Sequence, residues 1–186
     1  IILEDDVVPY KSFFLFIKKN FNNYKNEKNI TAICGYTPKI LSYKVRRKEI
    51  SSLLFKNFIP WGWCISGKKW IELKKIKISK NFHQKIPKFF SKKFNPKYQK
   101  KKKKKIWTIN FILKNYLKDR FYLFPNISLV KNIGFDGTGV NSKSTNTFDV
   151  SDKQFKHFKK NNPFLINKNL IKKQSNFFEK NLDLFY

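Results

Sequence analysis

An apolar run, Ile1-Ile2-Leu3, passes without a break into three carboxylates, Glu4-Asp5-Asp6. Such a run reads as the end of a buried strand, and in an α/β sheet the acidic residues then fall at the carboxyl edge, where ligands are met. No partner strand precedes it, so the chain is expected to begin inside a domain. Pro9 is expected to set a turn. From Ser12 to Tyr24 the apolar residues Phe13, Phe14, Phe16, Ile17 and Phe21 fall at helical spacing, with Ser12 as N-cap. Ile30 to Cys34, closed by Gly35, is β-branched and reads as a second buried strand. Strand, helix and strand in this order predict an α/β fold.

The rest of the chain extends that pattern with interruptions. Tyr36 to Lys48 reads as an exposed, irregular loop. Residues 50 to 67 form a dense aromatic segment centred on Pro60-Trp61-Gly62-Trp63-Cys64, and a helix is predicted from Lys68 to Lys75. Residues 76 to 105 are Lys-rich, carry Pro87 and Pro96 and end in the run Lys100 to Lys105, which reads as a solvated, mobile insertion. Helical periodicity returns from Ile106 to Leu117, and Phe121 to Phe124 reads as a short strand stopped by Pro125. Asn132-Ile133-Gly134-Phe135-Asp136-Gly137-Thr138-Gly139 packs its glycines so densely that its backbone must turn tightly or approach something closely. Residues 143 to 186 show weak helical spacing and read as a loosely packed tail.

Composition sets the partners to be weighed. The 186 residues are 41% apolar with 21 Phe, enough for a core, and carry 41 Lys and Arg against 12 Asp and Glu, a formal charge of +29. Such a surface attracts phosphate, nucleic acid or anionic lipid. Only Arg46, Arg47 and Arg120 are arginines, which counts against nucleic acid, since readers of phosphates and bases favour the bidentate guanidinium. The abundant Lys, Asn, Ile, Phe and Tyr share A/T-rich codons, so base composition accounts for much of the charge. A Lys-rich module that binds nucleic acid electrostatically stands as the alternative function. Cys34 and Cys64 show neither a CxxC nor a Cys/His pattern, which fits a reducing cytoplasm, and no apolar stretch has the length of a membrane span. Peripheral contact of the lysines with an anionic membrane at its inner face is compatible with that location.

Carboxylates fixed at a strand end can hold Mg²⁺ or Mn²⁺ through one or two oxygens while a diphosphate supplies other ligands. The plain alternative is a charged turn. Trp61 and Trp63, with Gly62 between them, have two readings of equal weight: aromatic faces for the C–H faces of a sugar, or core packing. The glycine block reads first as a structural turn, with Asp136 able to face a cleft. Glu72 and Asp119 lie beside lysines in helix-like stretches and read as surface charges, and His83 and His157 lack acid or Cys partners at useful spacing.

Four ordered blocks carry a resemblance. Ile2-Leu3-Glu4-Asp5-Asp6-Val7-Val8-Pro9 with Ser12-Phe13-Phe14, the strand Ile30 to Gly35, Trp61-Gly62-Trp63 with Trp70, and Pro125 to Gly139 resemble GT-A glycosyltransferases. They are especially similar to bacterial sugar transferases of surface-polysaccharide clusters, distantly like the N-acetylglucosaminyltransferase I type. The resemblance covers about residues 1 to 142. It implies a GT-A-like (nucleotide-diphospho-sugar transferase) mixed sheet flanked by helices, of which 1–142 is the C-terminal part and the N-terminal nucleotide-binding half is missing. It also implies a metal-dependent glycosyltransferase that moves a sugar from a nucleotide-sugar donor to a glycan or lipid-linked acceptor. Asp6 would be the ligand of Mn²⁺ or Mg²⁺, Glu4 and Asp5 would lie near the donor's ribose or sugar, and Trp61, Gly62 and Trp63 would line the acceptor side. Two positions depart from the pattern. Where relatives carry an acidic residue before the Trp matching Trp107, this chain has Lys105 and Ile106, which leaves the catalytic base unassigned with Asp136 as a candidate; where relatives end the glycine block with His, it has Asn141.

Overall fold

The computed structural model describes residues 1–41, 49–77, 107–137, 144–150, 157–158 and 168–185. Its order is β1 (Val7–Pro9), α1 (Lys11–Tyr24), β2 (Ile30–Cys34), a 3₁₀ turn (Lys39–Leu41), β3 (Glu49–Ile50), β4 (Ser52–Phe55), β5 (Trp63–Cys64), α2 (Gly67–Lys75), α3 (Trp107–Leu117), β6 (Phe121–Pro125), β7 (Val130–Asn132), β8 (His157–Phe158) and α4 (Lys168–Phe185). The central sheet runs β4-β6-β2-β5, with β2 parallel to β6 and the outer strands antiparallel. The chain is thus mixed α/β, a mixed sheet flanked by helices. Two smaller, separate pairings are formed among the described residues, β1 with β7 antiparallel and β3 with β8 parallel.

The sheet forms where its sequence is apolar on both faces. Every residue of β2 is buried, as a strand covered on both sides requires. On one face lies α1, whose Phe13, Phe16, Ile17 and Asn20 repeat at i, i+3, i+4 and i+7. Full burial of each apolar member contributes about 1.5–3 kcal/mol. Asn20 is tolerated there because both ends of its amide are used, the Nδ2 donating to Phe16 O at 2.8 Å and the Oδ1 accepting from Ser52 Oγ at 3.1 Å. Lys69, on α2, donates its ammonium to the carbonyls of Tyr24 (3.3 Å), Glu27 (2.8 Å) and Ile30, satisfying acceptors left by the end of α1 and the turn after it. Its pKa is lowered to about 8, first by burial and then by Arg120.

Several boundaries differ from the sequence expectation. Ser12 is not a cap; α1 starts a residue earlier, behind Tyr10, and the Ser12 hydroxyl is buried without a hydrogen-bond partner. The reason lies upstream, where β1 extends through Pro9 and Tyr10 N–H donates to Leu129 O at 3.0 Å, so the chain enters the helix directly from the ribbon. Pro9 therefore ends a strand instead of making a turn, in a two-stranded ribbon where its missing N–H is tolerated. Ile1, Ile2 and Leu3 are exposed, not buried, and only Ile2 pairs, exchanging hydrogen bonds with Trp63 at 2.8 and 2.9 Å. The loop after β2 is likewise not exposed at its start. Tyr36 and Thr37 are buried, anchored by Tyr36 Oη donating to Phe148 O at 2.9 Å and Thr37 Oγ1 donating to Pro125 O at 2.6 Å. Its charged part, residues 42–48, lies outside the described residues, as do 78–105 of the Lys-rich insertion.

The segment read as a loose tail contributes to the interior. Phe148 and Phe177 are buried, and Gln174 is fully buried with its Oε1 accepting from Asn57 N–H at 3.3 Å and its Nε2 donating to Asn57 O at 3.4 Å. Bury a glutamine amide and its partners must be fixed in place, so α4 is registered against the segment after β4 by that pair. Among the described residues no helix is long and apolar enough to cross a membrane. Cys34 and Cys64 are buried free thiols; Cys34 is opposite Trp63 and Cys64 opposite Ile33, which points the two to opposite faces of the sheet.

Candidate functional site

The acidic triplet sits in a tight turn between the Ile2 bridge and β1. Val7 N–H donates to Glu4 O at 3.0 Å, closing that turn, and Ile133 N–H donates to Asp6 O at 2.8 Å, extending the β1–β7 ribbon by one step. Because Val7 pairs with Asn132, the residues just outside the ribbon, Asp6 and the start of the glycine block, are forced together. Gly134 shows how closely: a Cβ there would collide with Asp6 Oδ2 and lie 3.1 Å from the Asp6 Cβ and Cγ. The glycine turn is shaped by Asn132, whose Oδ1 accepts from Gly134 N–H at 2.8 Å. Segments more than 120 residues apart in sequence thus build one corner.

Its electrostatics are unusual for so basic a chain. Glu4 is half-buried and its pKa is raised from 4.5 to about 7, first by burial, then by the charges of Asp6 and Asp5. The sign follows: between 4.5 and about 7 the folded chain holds a proton that the unfolded chain has lost, so this group's contribution is complete below 4.5 and disappears as pH rises through 7. The full shift would be worth ~3 kcal/mol. Solvent contact reduces that to about 1 kcal/mol. Glu4→Gln is therefore expected to unfold like the parent at pH 4.5 and to be more stable by about 1 kcal/mol at pH 8, in denaturant titrations at both values. Equal stability at pH 8 would remove the strain assigned to this carboxylate.

The aromatic block decides its two readings. Trp61 and Trp63 are 5% and 1% exposed, so neither offers a face to a ligand, and the acceptor-side expectation gives way to core packing. Trp63 lies among Phe58, Trp107 and Phe111, with ring centroids at 5.0, 5.8 and 5.5 Å. Trp61 packs against Tyr36 (4.6 Å), Phe135 (5.3 Å) and Phe148 (5.1 Å), so it supports the glycine turn from below. Gly62 is required between them. Its φ is +65°, Gly35 N–H donates to its carbonyl at 2.6 Å, and a Cβ would lie 2.8 Å from Val130 Cγ1.

Asp136 is exposed on a polar cleft of about 390 Å³ shared by Lys131, Phe135, Asp149 and the loop from Ser144 to Asn146. That volume falls within the usual ~300–1,000 Å³ of small-molecule sites. Asp119 and Glu72 pair instead with cations, Asp119 with Lys56 and Glu72 with Arg120 at 2.6 Å. Lys105, Ile106, Gly139 and Asn141 lie outside the described residues, as does His83. Sequence reasoning missed a second cleft, between α2 and α3, because its walls are assembled from two helices and only their approach reveals it.

A metal can be tested against the donor set. Among the described residues no group of three or more His, Cys, Asp or Glu side chains could hold an ion. A closed protein cage is thus absent there, but a hard divalent cation that keeps water and phosphate ligands needs only one or two carboxylates. Burial is the main cause of the raised Glu4 pKa, and the repulsion from Asp6 and Asp5 that adds to it is what such a cation would relieve, so one or two of these carboxylates suit an open site of this kind. No family model matches the sequence, and no curated protein matches it.

Proposed function

We infer that the chain belongs to a GT-A-like, metal-dependent glycosyltransferase that moves a sugar from a nucleotide-sugar donor to a glycan or lipid-linked oligosaccharide acceptor in surface-polysaccharide synthesis. The observation that carries the reading is the corner itself. The acidic turn and the glycine turn are two of the four blocks on which the resemblance rests, and the β1–β7 pairing sets Asp6 directly against Gly134. Asp6, with Glu4 or Asp5 beside it, would hold Mn²⁺ or Mg²⁺, which supplies charge neutralisation for a departing diphosphate. The chain's own contributions are to fix Asp6 through its backbone bond to Ile133, to keep the glycine turn free of side chains beside the carboxylate, and to hold Phe135 on Trp61 at the edge of the polar cleft. A site at the cytoplasmic membrane face fits an acceptor carried on lipid, and the excess of lysine suits an anionic surface there.

The test is release of nucleoside diphosphate by the full chain from a panel of nucleotide sugars, with and without Mn²⁺. Release is expected to need the metal and to fall at least ~100-fold in Asp6→Ala, the scale of losing one preorganised electrostatic contact to the leaving group. Glu179→Ala, exposed on α4, should leave it unchanged. Metal-dependent release that survives Asp6→Ala would refute the assignment of Asp6.

A further inference from the structure

The cleft between α2 and α3 is made by two helix faces. Trp70, Leu73 and Lys74 stand at i, i+3 and i+4 on one, and Trp107, Asn110, Phe111 and Lys114 at i, i+3, i+4 and i+7 on the other. Leu73 and Phe111 are buried and form its floor. Trp70 and Trp107 form a corner, ring centroids 6.4 Å apart and planes at 74°. Trp107 stacks on Trp63 at 5.8 Å with 22° between the planes, yet it is 45% exposed, so an indole held rigidly from behind remains open to solvent. Among the described lining residues the polar groups are on the rim. Lys74 Nζ lies 5.6 Å from the centre of the Trp70 ring, Lys114 Nζ donates to Lys74 O at 3.4 Å, and Asn110 is exposed. Among the described residues no acidic side chain lines the cleft; Glu72, on the same helix as Trp70, faces Arg120 instead.

We propose that this cleft is a binding subsite for a single anionic sugar ring, a uronic acid or similarly charged pyranose. Rigid aromatic faces suit the apolar C–H face of a pyranose, the two ammonium groups suit its carboxylate, and the Asn110 amide suits a hydroxyl. Size suits a small ligand: the cleft holds about 180 Å³, below the ~300 Å³ at which pockets for drug-sized molecules begin. The subsite rests on the transferase reading only in one respect, that the sugar would belong to the acceptor glycan. It shares no lining residue with the corner of Asp6 and Gly134.

Saturation-transfer NMR on the full chain at fixed ionic strength, with glucuronate, glucose, acetate and inorganic phosphate as separate probes, tests the proposal. Glucuronate is expected to bind saturably and at least ~10-fold more tightly than glucose, while acetate and phosphate fail to displace it at equal concentration. Lys74→Gln/Lys114→Gln, a change confined to the rim, should reduce glucuronate to the affinity of glucose. Trp107→Ala should abolish binding of both sugars. Asp6→Ala should leave glucuronate binding intact, so loss of the metal-dependent reaction and loss of this subsite are separate results. Glucuronate binding no tighter than glucose, displacement by phosphate or acetate, or retention of full affinity in the double lysine variant would each overturn the proposal.

Discussion

Replacing Trp63 with alanine is expected to lower the free energy of unfolding by about 3–5 kcal/mol, the range for removing a buried Trp or Phe. Against the ~5–15 kcal/mol that holds a domain together, this is a loss of a third or more. Trp63 is 1% exposed and touches Phe58, Trp107 and Phe111, so the change empties the centre of an aromatic cluster and also loosens the bridge that Trp63 makes to Ile2. Trp107, 45% exposed on the same cluster, should cost less, about 1–2 kcal/mol. Urea titrations of both variants give the comparison. A Trp63→Ala protein that unfolds within ~1 kcal/mol of the parent, or a Trp107→Ala protein that is the less stable of the two, would overturn Trp63 as the centre of the aromatic cluster.

Gly134→Ala is expected to act in the opposite way, with little effect on folding and a large one on the site. The backbone at Gly134 is not in the left-handed region, so alanine brings no conformational strain; its methyl group instead meets Asp6 Oδ2 and crowds the Asp6 Cβ and Cγ. The short carboxylate must rotate away, because its main chain is held by Ile133 N–H. The stability cost should be about 1 kcal/mol. Mn²⁺-induced thermal stabilisation, expected in the parent by the ordinary linkage between binding and folding, should require at least ~10-fold more metal in the variant. Gly67→Ala is the matched control. Nothing lies within 4 Å of a Cβ at Gly67, so that substitution should leave the metal response unchanged and the first turn of α2 slightly more stable. Equal metal response in Gly134→Ala and Gly67→Ala would mean that Asp6 does not act where it meets the glycine turn.

Much of the layout was legible in local pattern. Ile30 to Cys34 and Phe121 to Phe124 form strands where β-branched and aromatic runs predict them, although Pro125 continues the second strand opposite Ser52 instead of stopping it, and α2 and α3 occupy the predicted helical stretches within a residue. These elements are specified by nearest-neighbour chemistry, and the burial of the two strands follows from their having almost no polar face to expose. Ser12 shows the limit of that logic. It has the chemistry of a cap, but the pairing of β1 with β7, a contact between distant segments, carries the chain past it into the helix.

For the candidate site, the residue types were legible and their surroundings were not. The sequence by itself determined that carboxylates are concentrated at Glu4, Asp5 and Asp6, that glycines free the backbone around Gly134, and that tryptophans bracket Gly62. Only the tertiary structure decided that Asp6 lies against Gly134, that Trp61 and Trp63 are core, and that Trp70 and Trp107 form an open corner with lysines on its rim. A tryptophan suits a packed interior and a sugar-binding wall equally well in composition and in spacing. Which it becomes depends on what covers its second face, and that is settled by helices and strands far away in the chain.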